Sequence, residues 1–414
     1  MPEANIMVAL KSFVISNSST AEALSVLSIA IDDVEIDPNL ICVFYDGDHE
    51  DKLIFDYVRT RFPDAALLGG TSCSGVMSEA GLGGAGSIGL LLIEDADGDY
   101  GTAAVRLGPD ACGCAEQALH AALAAADCSG ELPELIWIYQ APGREEAVIE
   151  GLRRVVGNRC PIIGGSSADN TVAGGWRQIG PEGPMDDGLV VAVLFSSGGI
   201  SFAFQGGYEP SGASGLVTSI GYDPAGESGV VTKVSGRQVL TIDGEPAAEV
   251  YNRWIGGVLS EKIENGGCIL EDTTTYPLGI DAGQIEGVTQ YLLIHPEQIG
   301  KNQSLSTFAS IEEGTRLYSM RGDRTRLIQR AGKVASAAAD ALPGGSKNLA
   351  GGLVVYCAGC MLAVGEQMPE VSRTVSASFN NMPFLGCFTF GEQGSVLEKN
   401  AHGNLMISAV AFGH

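Results

Sequence analysis

The sequence has few basic residues, few histidines and only short apolar runs. Its 414 residues include 24 Lys and Arg against 50 Asp and Glu, which gives a formal net charge of −26, and only 5 His. A chain this acidic repels phosphate backbones and anionic lipid, so neither nucleic acid nor a membrane is expected as a partner. The longest apolar runs, such as 189–195, have strand length and fall short of the roughly 18 residues of a membrane-spanning helix.

The N-terminus and the cysteines favour a cytoplasmic protein. Residues 1–19 lack a basic start followed by a continuous apolar core, so no signal peptide is predicted. Most of the ten cysteines lie inside apolar runs, as Cys42, Cys160 and Cys268 do. Buried, reduced thiols of this kind are typical of cytosolic proteins.

Glycine is the residue in excess. There are 57 glycines, about twice the usual share, and they are scattered without a period, which indicates turns and close backbone approaches in a sheet-rich fold. The length predicts two domains. The Gly-, Ser- and Pro-rich stretch at 206–229 is the best boundary, so we expect an N-terminal domain over 1–215 and a C-terminal domain over 216–414.

One order of elements occurs three times along the chain. The first copy has a buried strand at 41–45, an amphipathic helix at 50–61, the turn LLGGTSCSG and a strand at 87–93. The second copy has a strand at 135–139, a helix at 145–156, CPIIGGSSADN and GLVVAVLF. The third reads GGLVVYC, EVSRTVSASF, PFLGCFTFGEQG and NLMISAVAF.

These repeats predict the fold class. Repeated β-α-β-β units build an α/β (α+β) fold, here two domains of mixed sheets with packed helices. The turns DADGDYG and SSGG that follow the last strands of the first two copies predict closing hairpins, with partner strands near 102–107 and 200–205.

The doubled glycines at the strand ends form the candidate binding site. Glycine lets a ligand approach the backbone closely, and in α/β proteins ligands tend to bind at strand ends. A turn needed only for topology is an equally open interpretation. The candidate ligand-binding residues are Gly69, Gly70, Ser72, Cys73, Gly164, Gly165, Ser166, Ser167, Asp169, Cys357, Gly391 and Glu392.

Several of these side chains have two open interpretations. Asp169 and Glu392 could fix a polar ligand, or hold their loops by accepting hydrogen bonds from backbone N–H groups. Cys357 and Cys360 form a C-x-x-C pair that suggests redox or zinc chemistry, although Cys357 ends a strand and no second pair has zinc spacing. Because no G-x-S-x-G elbow surrounds the serines, no catalytic residue and no enzyme activity is predicted.

Seven segments, taken in order, resemble the FIST family. They are LLGGTSCSG, PIIGGSSADN, MDDGLVVAVLF, VTKVSGRQVLTIDGEPAAEVY, IEEGTRLYSMRGD, LVVYCAGC and LGCFTFGEQG. The resemblance covers residues 25–414 and implies both domains of the family. It also implies a cytoplasmic sensory protein that binds a small ligand and regulates a histidine kinase or a cyclic-dinucleotide signalling protein.

One branch of the family consists of haem proteins that sense nitric oxide, so the resemblance implies haem as a candidate cofactor. A haem iron needs an axial ligand beside an apolar pocket, and His402, eight residues after GEQG, is the best-placed histidine. The segments CAGC and NAHGNLM depart from the family's usual sequences and indicate a subfamily with its own ligand. Two alternatives stay open: a protein-recognition scaffold without a small ligand, and a thiol redox sensor that uses Cys357 and Cys360.

Overall fold

The computed structural model describes residues 8–204, 208–211, 216–219, 222–285 and 287–414. These residues form three units with the same order of elements, and a further domain is inserted into the third unit. The predicted domain boundary at residues 215 and 216 falls at the edge of a stretch, 212–215, that lies outside the described residues. That boundary stays a prediction.

The first two units each contain a strand, a helix, a strand, a helix, a strand, a short two-stranded hairpin and a last strand. The first unit consists of β1 (Ala9–Ser16), α1 (Thr20–Asp32), β2 (Leu40–Asp46), α2 (Asp51–Arg61), β3 (Ala66–Ser72), β4 (Val76–Ser78), β5 (Gly81–Leu82) and β6 (Ser87–Glu94). The second consists of β7 (Asp99–Arg106), α3 (Ala111–Ala125), β8 (Leu135–Gln140), α4 (Glu145–Val156), β9 (Ile162–Ser166), β10 (Gln178–Gly180), β11 (Gly183–Met185) and β12 (Gly188–Phe195).

The third unit begins with β13 (Ile200–Phe204) and is then interrupted. In its described residues the inserted domain, which we call the insert, is an antiparallel sheet with three short α-helices. Its elements are β14 (Tyr208–Ser211), β15 (Leu216–Ser219), β16 (Tyr222–Ser235), β17 (Gln238–Ile242), β18 (Glu245–Pro246), α5 (Ala247–Trp254), α6 (Ser260–Ile263), β19 (Gly267–Cys268), α7 (Leu270–Thr273), β20 (Leu278–Ile285), β21 (Val288–Ile294), β22 (Pro296–Ile299), β23 (Leu305–Thr307) and β24 (Arg316–Gly322).

After the insert the third unit continues in the same order as the first two, with one additional helix. Its remaining elements are α8 (Arg324–Asp340), β25 (Leu349–Cys357), α9 (Ala358–Val364), α10 (Met368–Ser378), β26 (Phe384–Thr389), β27 (Gly391–Val396), β28 (Lys399–Gly403) and β29 (Ile407–Gly413). The threefold repeat that the sequence predicts is therefore confirmed, as is the α/β fold class.

Each unit builds one six-stranded sheet, and each sheet borrows its last hairpin from another unit. The strand orders are β1-β6-β2-β3-β10-β11, β7-β12-β8-β9-β27-β28 and β13-β29-β25-β26-β4-β5. In every sheet the central pair (β2 with β3, β8 with β9, β25 with β26) is parallel and its neighbours are antiparallel. The hairpins are thus exchanged in a closed circle among the three sheets.

The predicted closing hairpins are wrong. Strand β6 pairs with β1 on one side and β2 on the other, and β12 pairs with β7 and β8, so neither has a free edge for the strand that follows it in the chain. The turns at 95–98 and 196–199 instead carry the chain from one sheet into the next.

The three sheets enclose a common core, and helices cover their outer faces. Alternate residues of β2 show this division: Cys42 and Phe44 belong to the core that all three sheets share, whereas Val43 and Tyr45 pack under α1 and α2. Strands buried on both faces read as continuous apolar runs, which is why β2 is buried along its whole length. Helices α3 and α4 cover the second sheet, and α8, α9 and α10 cover the third.

Predicted helices coincide closely with observed ones. Helix α4 spans Glu145–Val156, the range predicted from apolar spacing, and buries Val148, Ile149 and Leu152. Helices α1, α3 and α8 are each capped by a side chain that accepts a hydrogen bond from a first-turn N–H group, which satisfies an otherwise unpaired donor. None of the helices in the described part of the chain has the length and the hydropathy needed to cross a membrane.

Candidate functional site

A cavity of about 120 Å³ lies where the three units meet the insert. Its wall comes from the turn after β3, the loop after β9, the ends of β25 and β26, helix α9, the loop before β29, and one side of the insert. The cavity lies beside strand ends, since Cys73 directly follows β3, Cys357 ends β25 and Phe390 directly follows β26. The lining residues are Cys73, Ser74, Asp169, Asn170, Val172, Leu270, Thr274, His295, Phe308, Cys357, Ala358, Gly359, Leu362, Phe390 and Asn404.

Apolar atoms form most of the surface of the cavity wall. The ring of Phe390 meets the ring of Trp176 edge to face at 6.2 Å, and the ring of Phe308 lies 6.2 Å from that of His295. The side chains of Val172 and Leu362 are 49% and 65% exposed, which places the cavity's opening beside them. Concave, mainly apolar sites with a few polar groups are where proteins bind small molecules.

Two thiols face this cavity, and both are uncharged at neutral pH. Burial, aided by the nearby Asp169, raises the pKa of Cys73 to about 11. Burial also raises the pKa of Cys357 well above its ordinary value, and a hydrogen bond with Cys360 adds to the shift. Although Cys357 directly precedes helix α9, its burial outweighs any effect of the helix. Because the thiolate is the reactive form, this setting does not activate the C-x-x-C pair.

Asp169 holds its own loop in place. Its Oδ1 accepts hydrogen bonds from the N–H groups of Thr171 (3.0 Å) and Val172, and its Oδ2 accepts from Ala173 (3.0 Å) and Gly175 (2.6 Å). Of the two interpretations that the sequence left open for this residue, the structure shows the second. With four donors already bound to it, the carboxylate has few lone pairs left to accept a hydrogen bond from a ligand.

The first two units are joined beside the cavity by an amide. The side chain of Asn170 accepts a hydrogen bond from the N–H group of Ser74 (2.7 Å) and donates one to the buried carboxylate of Asp46 (2.9 Å). Ser74 adopts a φ of 56°, in the left-handed region that non-glycine residues rarely occupy. The turn after β3 therefore has one fixed conformation, set by the loop of the next unit.

His295 is a cavity residue that sequence reasoning missed. It lies at the end of β21 in the insert, is 5% exposed, and shares a hydrogen bond of 3.1 Å between Nε2 and the hydroxyl of Thr273. Burial lowers the pKa of His295 to about 4, so the imidazole is neutral. Only the folded insert brings it beside Cys357, 62 residues further along the chain, and no local sequence pattern signals that contact.

Comparison with family models places both halves of this architecture in one family. The FIST N domain matches residues 39–245 and the FIST C domain matches residues 247–395. The chain belongs to the FIST family. FIST domains are sensory domains for small ligands in signalling proteins, so the resemblance that the sequence motifs indicate is confirmed at the level of the family.

Other comparisons add little for this FIST protein. No curated protein matches it. Among solved structures, cyanuric acid hydrolase from A. caulinodans is similar over 48% of this chain and 71% of its own, with 14% identity and a TM-score of 0.30. A second cyanuric acid hydrolase structure covers 69% of this chain and 85% of its own, with 10% identity and a TM-score of 0.29. Values this low carry no conclusion about fold or activity.

The doubled glycines of the FIST protein serve strand packing and do not open the recess. A Cβ atom on Gly69 would lie 1.7 Å from the carbonyl oxygen of Val43, and one on Gly164 would lie 1.9 Å from that of Ile138. Neither these two glycines nor Gly70 and Gly165 line the cavity, which begins beyond the strand ends. Of the twelve candidate residues, Cys73, Asp169 and Cys357 line it.

The three candidate serines make hydrogen bonds within the protein. The hydroxyl of Ser72 accepts from the N–H group of Phe388 (2.8 Å), and that of Ser166 donates to Glu145 (2.8 Å). The hydroxyl of Ser167 accepts from the side chain of Gln178 (2.6 Å). All three are fully buried. They therefore join neighbouring strands and sheets and do not line the cavity.

Gly391 and Glu392 do not form the glycine turn at a strand end of the third unit, where the sequence suggested them. They belong to the exchanged strand β27, where Glu392 is opposite Gly165, and the third copy of the glycine turn is Gly386-Cys387 in β26. Glu392 is fully buried and accepts hydrogen bonds from Thr389 (2.8 Å) and the N–H group of Met406 (3.0 Å). Burial, together with the neighbouring Cys357, raises its pKa well above the ordinary value and so favours the neutral carboxyl.

The surroundings of His402 do not fit a haem iron. Its Nδ1 lies 3.2 Å from a carboxylate oxygen of Glu146, and a Cβ atom on Gly391 would lie only 2.5 Å from its Nε2, so the backbone closes that side. The hollow beside His402 is lined mainly by charged and polar residues, not by the apolar wall that a porphyrin needs. Glu145, Glu146 and His402 are close enough to hold a metal ion, but the guanidinium of Arg237 already lies 2.7 Å from both carboxylates.

Proposed function

We propose that this FIST protein is a sensory component of a signalling pathway whose small ligand binds in the cavity between the three units and the insert. One observation carries the proposal: the three units and the insert all contribute residues to one mainly apolar cavity with an opening to solvent. A ligand there lies between all four parts of the fold. It therefore binds only the folded, assembled arrangement and stabilises that arrangement.

Signalling requires that the bound and free states differ elsewhere on the surface. The cavity supports such coupling because the insert supplies Leu270, His295 and Phe308, while the units supply Cys73 and Phe390. A ligand between them changes how strongly the insert is held against the units. We propose that a partner protein reads this change, and that the partner is a histidine kinase or a cyclic-dinucleotide signalling protein of the cytoplasm.

We propose sensing and not catalysis for the same cavity. The thiols of Cys73 and Cys357 are neutral because burial raises their pKa values, and the imidazole of His295 is neutral because burial lowers its own. A thiolate–imidazolium pair of the kind used in nucleophilic catalysis is thus not favoured here. The uncharged thiols likewise argue against a redox sensor based on Cys357 and Cys360.

A small-molecule screen by thermal denaturation tests the proposal. A ligand that binds only the folded state, present at a concentration of 100 times its Kd, adds about 2.7 kcal/mol to the free energy of unfolding. Leu362→Trp, at the cavity's opening, should abolish the stabilisation by any hit. Leu132→Trp is the matched control, because Leu132 is also an exposed leucine (40%) and does not line the cavity. Hits that stabilise both variants equally would contradict the proposal.

The exposed apolar side chains at the opening favour one other candidate, a protein-recognition surface without a small ligand. Val172 and Leu362 are both large, exposed and adjacent to the cavity. In that case the screen yields no ligand, and Leu362→Asp weakens binding of the partner kinase in a pull-down.

The haem version of the sensor is tested by an absorption spectrum after haem supplementation. A Soret band that His402→Ala removes would support it.

A further inference from the structure

Three polar side chains of the cavity wall are already paired with other protein groups. The carboxylate of Asp169 accepts four backbone hydrogen bonds, and the amide of Asn170 is engaged on both its oxygen and its nitrogen. Asn404 accepts from the N–H group of His295 (3.4 Å) and donates to the carbonyl of Phe390 (3.5 Å). A charged ligand would lose its hydration on entering and would find little to replace it.

One hydroxyl in the wall is less engaged than the others. For Ser74, the described side-chain contact is a weak one of 3.8 Å between its Oγ and the sulfur of Cys73. Its backbone is fixed by Asn170, so the hydroxyl can rotate towards a ligand without any rearrangement of the turn. The wall therefore offers this hydroxyl as a readily available hydrogen-bonding group, on a surface that is mainly apolar.

The size of the cavity limits the ligand further. A buried apolar cavity of about 150 Å³ in another protein holds one benzene molecule. The cavity here is slightly smaller, at about 120 Å³, but it is open beside Val172 and Leu362, so a substituent can project outwards. A single ring with a short substituent matches these dimensions, whereas two fused rings do not.

From this geometry we propose that the cavity takes an uncharged, mainly apolar ligand of single-ring size, held by one hydrogen bond to Ser74. The inference rests on the proposed function, because it names the class of ligand that the same cavity senses. Neutral thiols at Cys73 and Cys357 and a neutral imidazole at His295 support it, since none of them would attract an ionic ligand.

Four probes that share one ring test the class of ligand. They are 4-fluorobenzyl alcohol (neutral), 4-fluorobenzoate (anionic), 4-fluorobenzylamine (cationic) and 4-fluorophenylalanine (zwitterionic), each titrated against the full chain and followed by fluorine NMR. We expect the alcohol to bind at least tenfold more tightly than any of the three ionic probes. Leu362→Trp should weaken its binding at least tenfold, Leu132→Trp should leave it within twofold, and Ser74→Ala should weaken it about five- to tenfold through the lost hydrogen bond.

The outcomes distinguish an error in the class of ligand from an error in the position of the sensory site. If an ionic probe binds as tightly as the alcohol and Leu362→Trp abolishes its binding, the class of ligand is wrong and the cavity remains the sensory site. If the alcohol does not bind at all, the class of ligand is likewise wrong. If the alcohol binds both tryptophan variants equally, the ligand lies elsewhere and the proposed function fails together with the inference. Equal melting temperatures of the variants without ligand confirm that each is folded.

Discussion

Arg237 fastens the insert to the second unit. It lies in the turn between β16 and β17, and its guanidinium nitrogen is 2.7 Å from Glu145 and 2.7 Å from Glu146 at the start of α4. The side chain of Glu145 is only 3% exposed, that of Arg237 is 25% exposed and that of Glu146 is 39% exposed. An ion pair this buried contributes to stability mainly through the cost of leaving one partner alone.

Replacing this arginine by methionine keeps most of its volume and removes its charge. Breaking a buried ion pair in this way costs about 3–5 kcal/mol. Because Arg237 and Glu146 remain partly in contact with water, the cost should be smaller than that of a fully buried pair. We expect Arg237→Met to lower the free energy of unfolding by about 2–3 kcal/mol. The control, Arg253→Met, breaks a pair with Glu245 in which both side chains are more than half exposed, so its loss should stay below about 1 kcal/mol.

The loss should also depend on pH in a defined direction. Burial alone would raise the pKa of Glu145 and Glu146, but His402 and Arg237 outweigh it and hold both below the ordinary 4.5. Carboxylates with lowered pKa values stabilise the fold fully above about pH 4.5, and this stabilisation disappears as the pH falls through the lowered values. Arg237→Met therefore shows its full deficit near neutral pH and a smaller one below about pH 4.5.

Urea titrations of the wild type and the two variants, at several pH values between about 2.5 and 7, measure these differences. The reasoning is refuted if Arg237→Met costs no more than Arg253→Met, or if its cost does not change with pH. In either case the insert is held by its apolar contacts and not by the buried charges.

Three further substitutions test other parts of the structure. Gly69→Ala should lose about 2–3 kcal/mol because its Cβ atom would collide with the carbonyl of Val43, whereas Gly108→Ala, which meets open space, should change stability by under about 1 kcal/mol in the same urea assay. Asp169→Asn leaves one oxygen for four donors, so hydrogen exchange of the amides at 171–175 should quicken at least tenfold. Glu392→Gln removes a buried carboxyl with a raised pKa. The stability of this variant relative to the wild type should therefore rise by up to about 1.4 kcal/mol per pH unit above pH 4.5. A stability difference that does not change with pH would contradict a neutral carboxyl at Glu392.

The sequence was sufficient to predict the repeats because they rest on local patterns. Apolar periodicity marks the helix 145–156, and continuous apolar runs mark buried strands such as 135–139. The pairing of strands could not be predicted in this way, because it depends on which strand edges are free in the folded chain. Turns that are typical of hairpins, as at 196–199, here connect two sheets, and nothing in their own residues distinguishes the two outcomes.

The candidate ligand site stays a prediction, and the structure brings three of its twelve residues to one cavity. Strand ends do converge on a cavity, and Cys73, Asp169 and Cys357 line it. The glycines that suggested the place have another cause, since they allow adjacent strands to approach each other closely. The residues contributed by the insert, such as His295 and Phe308, could not be predicted, because the insert folds over the cavity from a part of the chain without the repeat.

Because the hairpins are exchanged in a circle, removing any one of the three units would leave an unpaired strand edge in the sheet of another unit. The two family models meet between residues 245 and 247, yet a chain divided there would deprive β9 of its partner β27 and β26 of its partner β4. Both fragments would then present bare main-chain edges, which are templates for aggregation. The three sheets are therefore expected to fold as one unit, because each of them is completed by strands from another part of the chain.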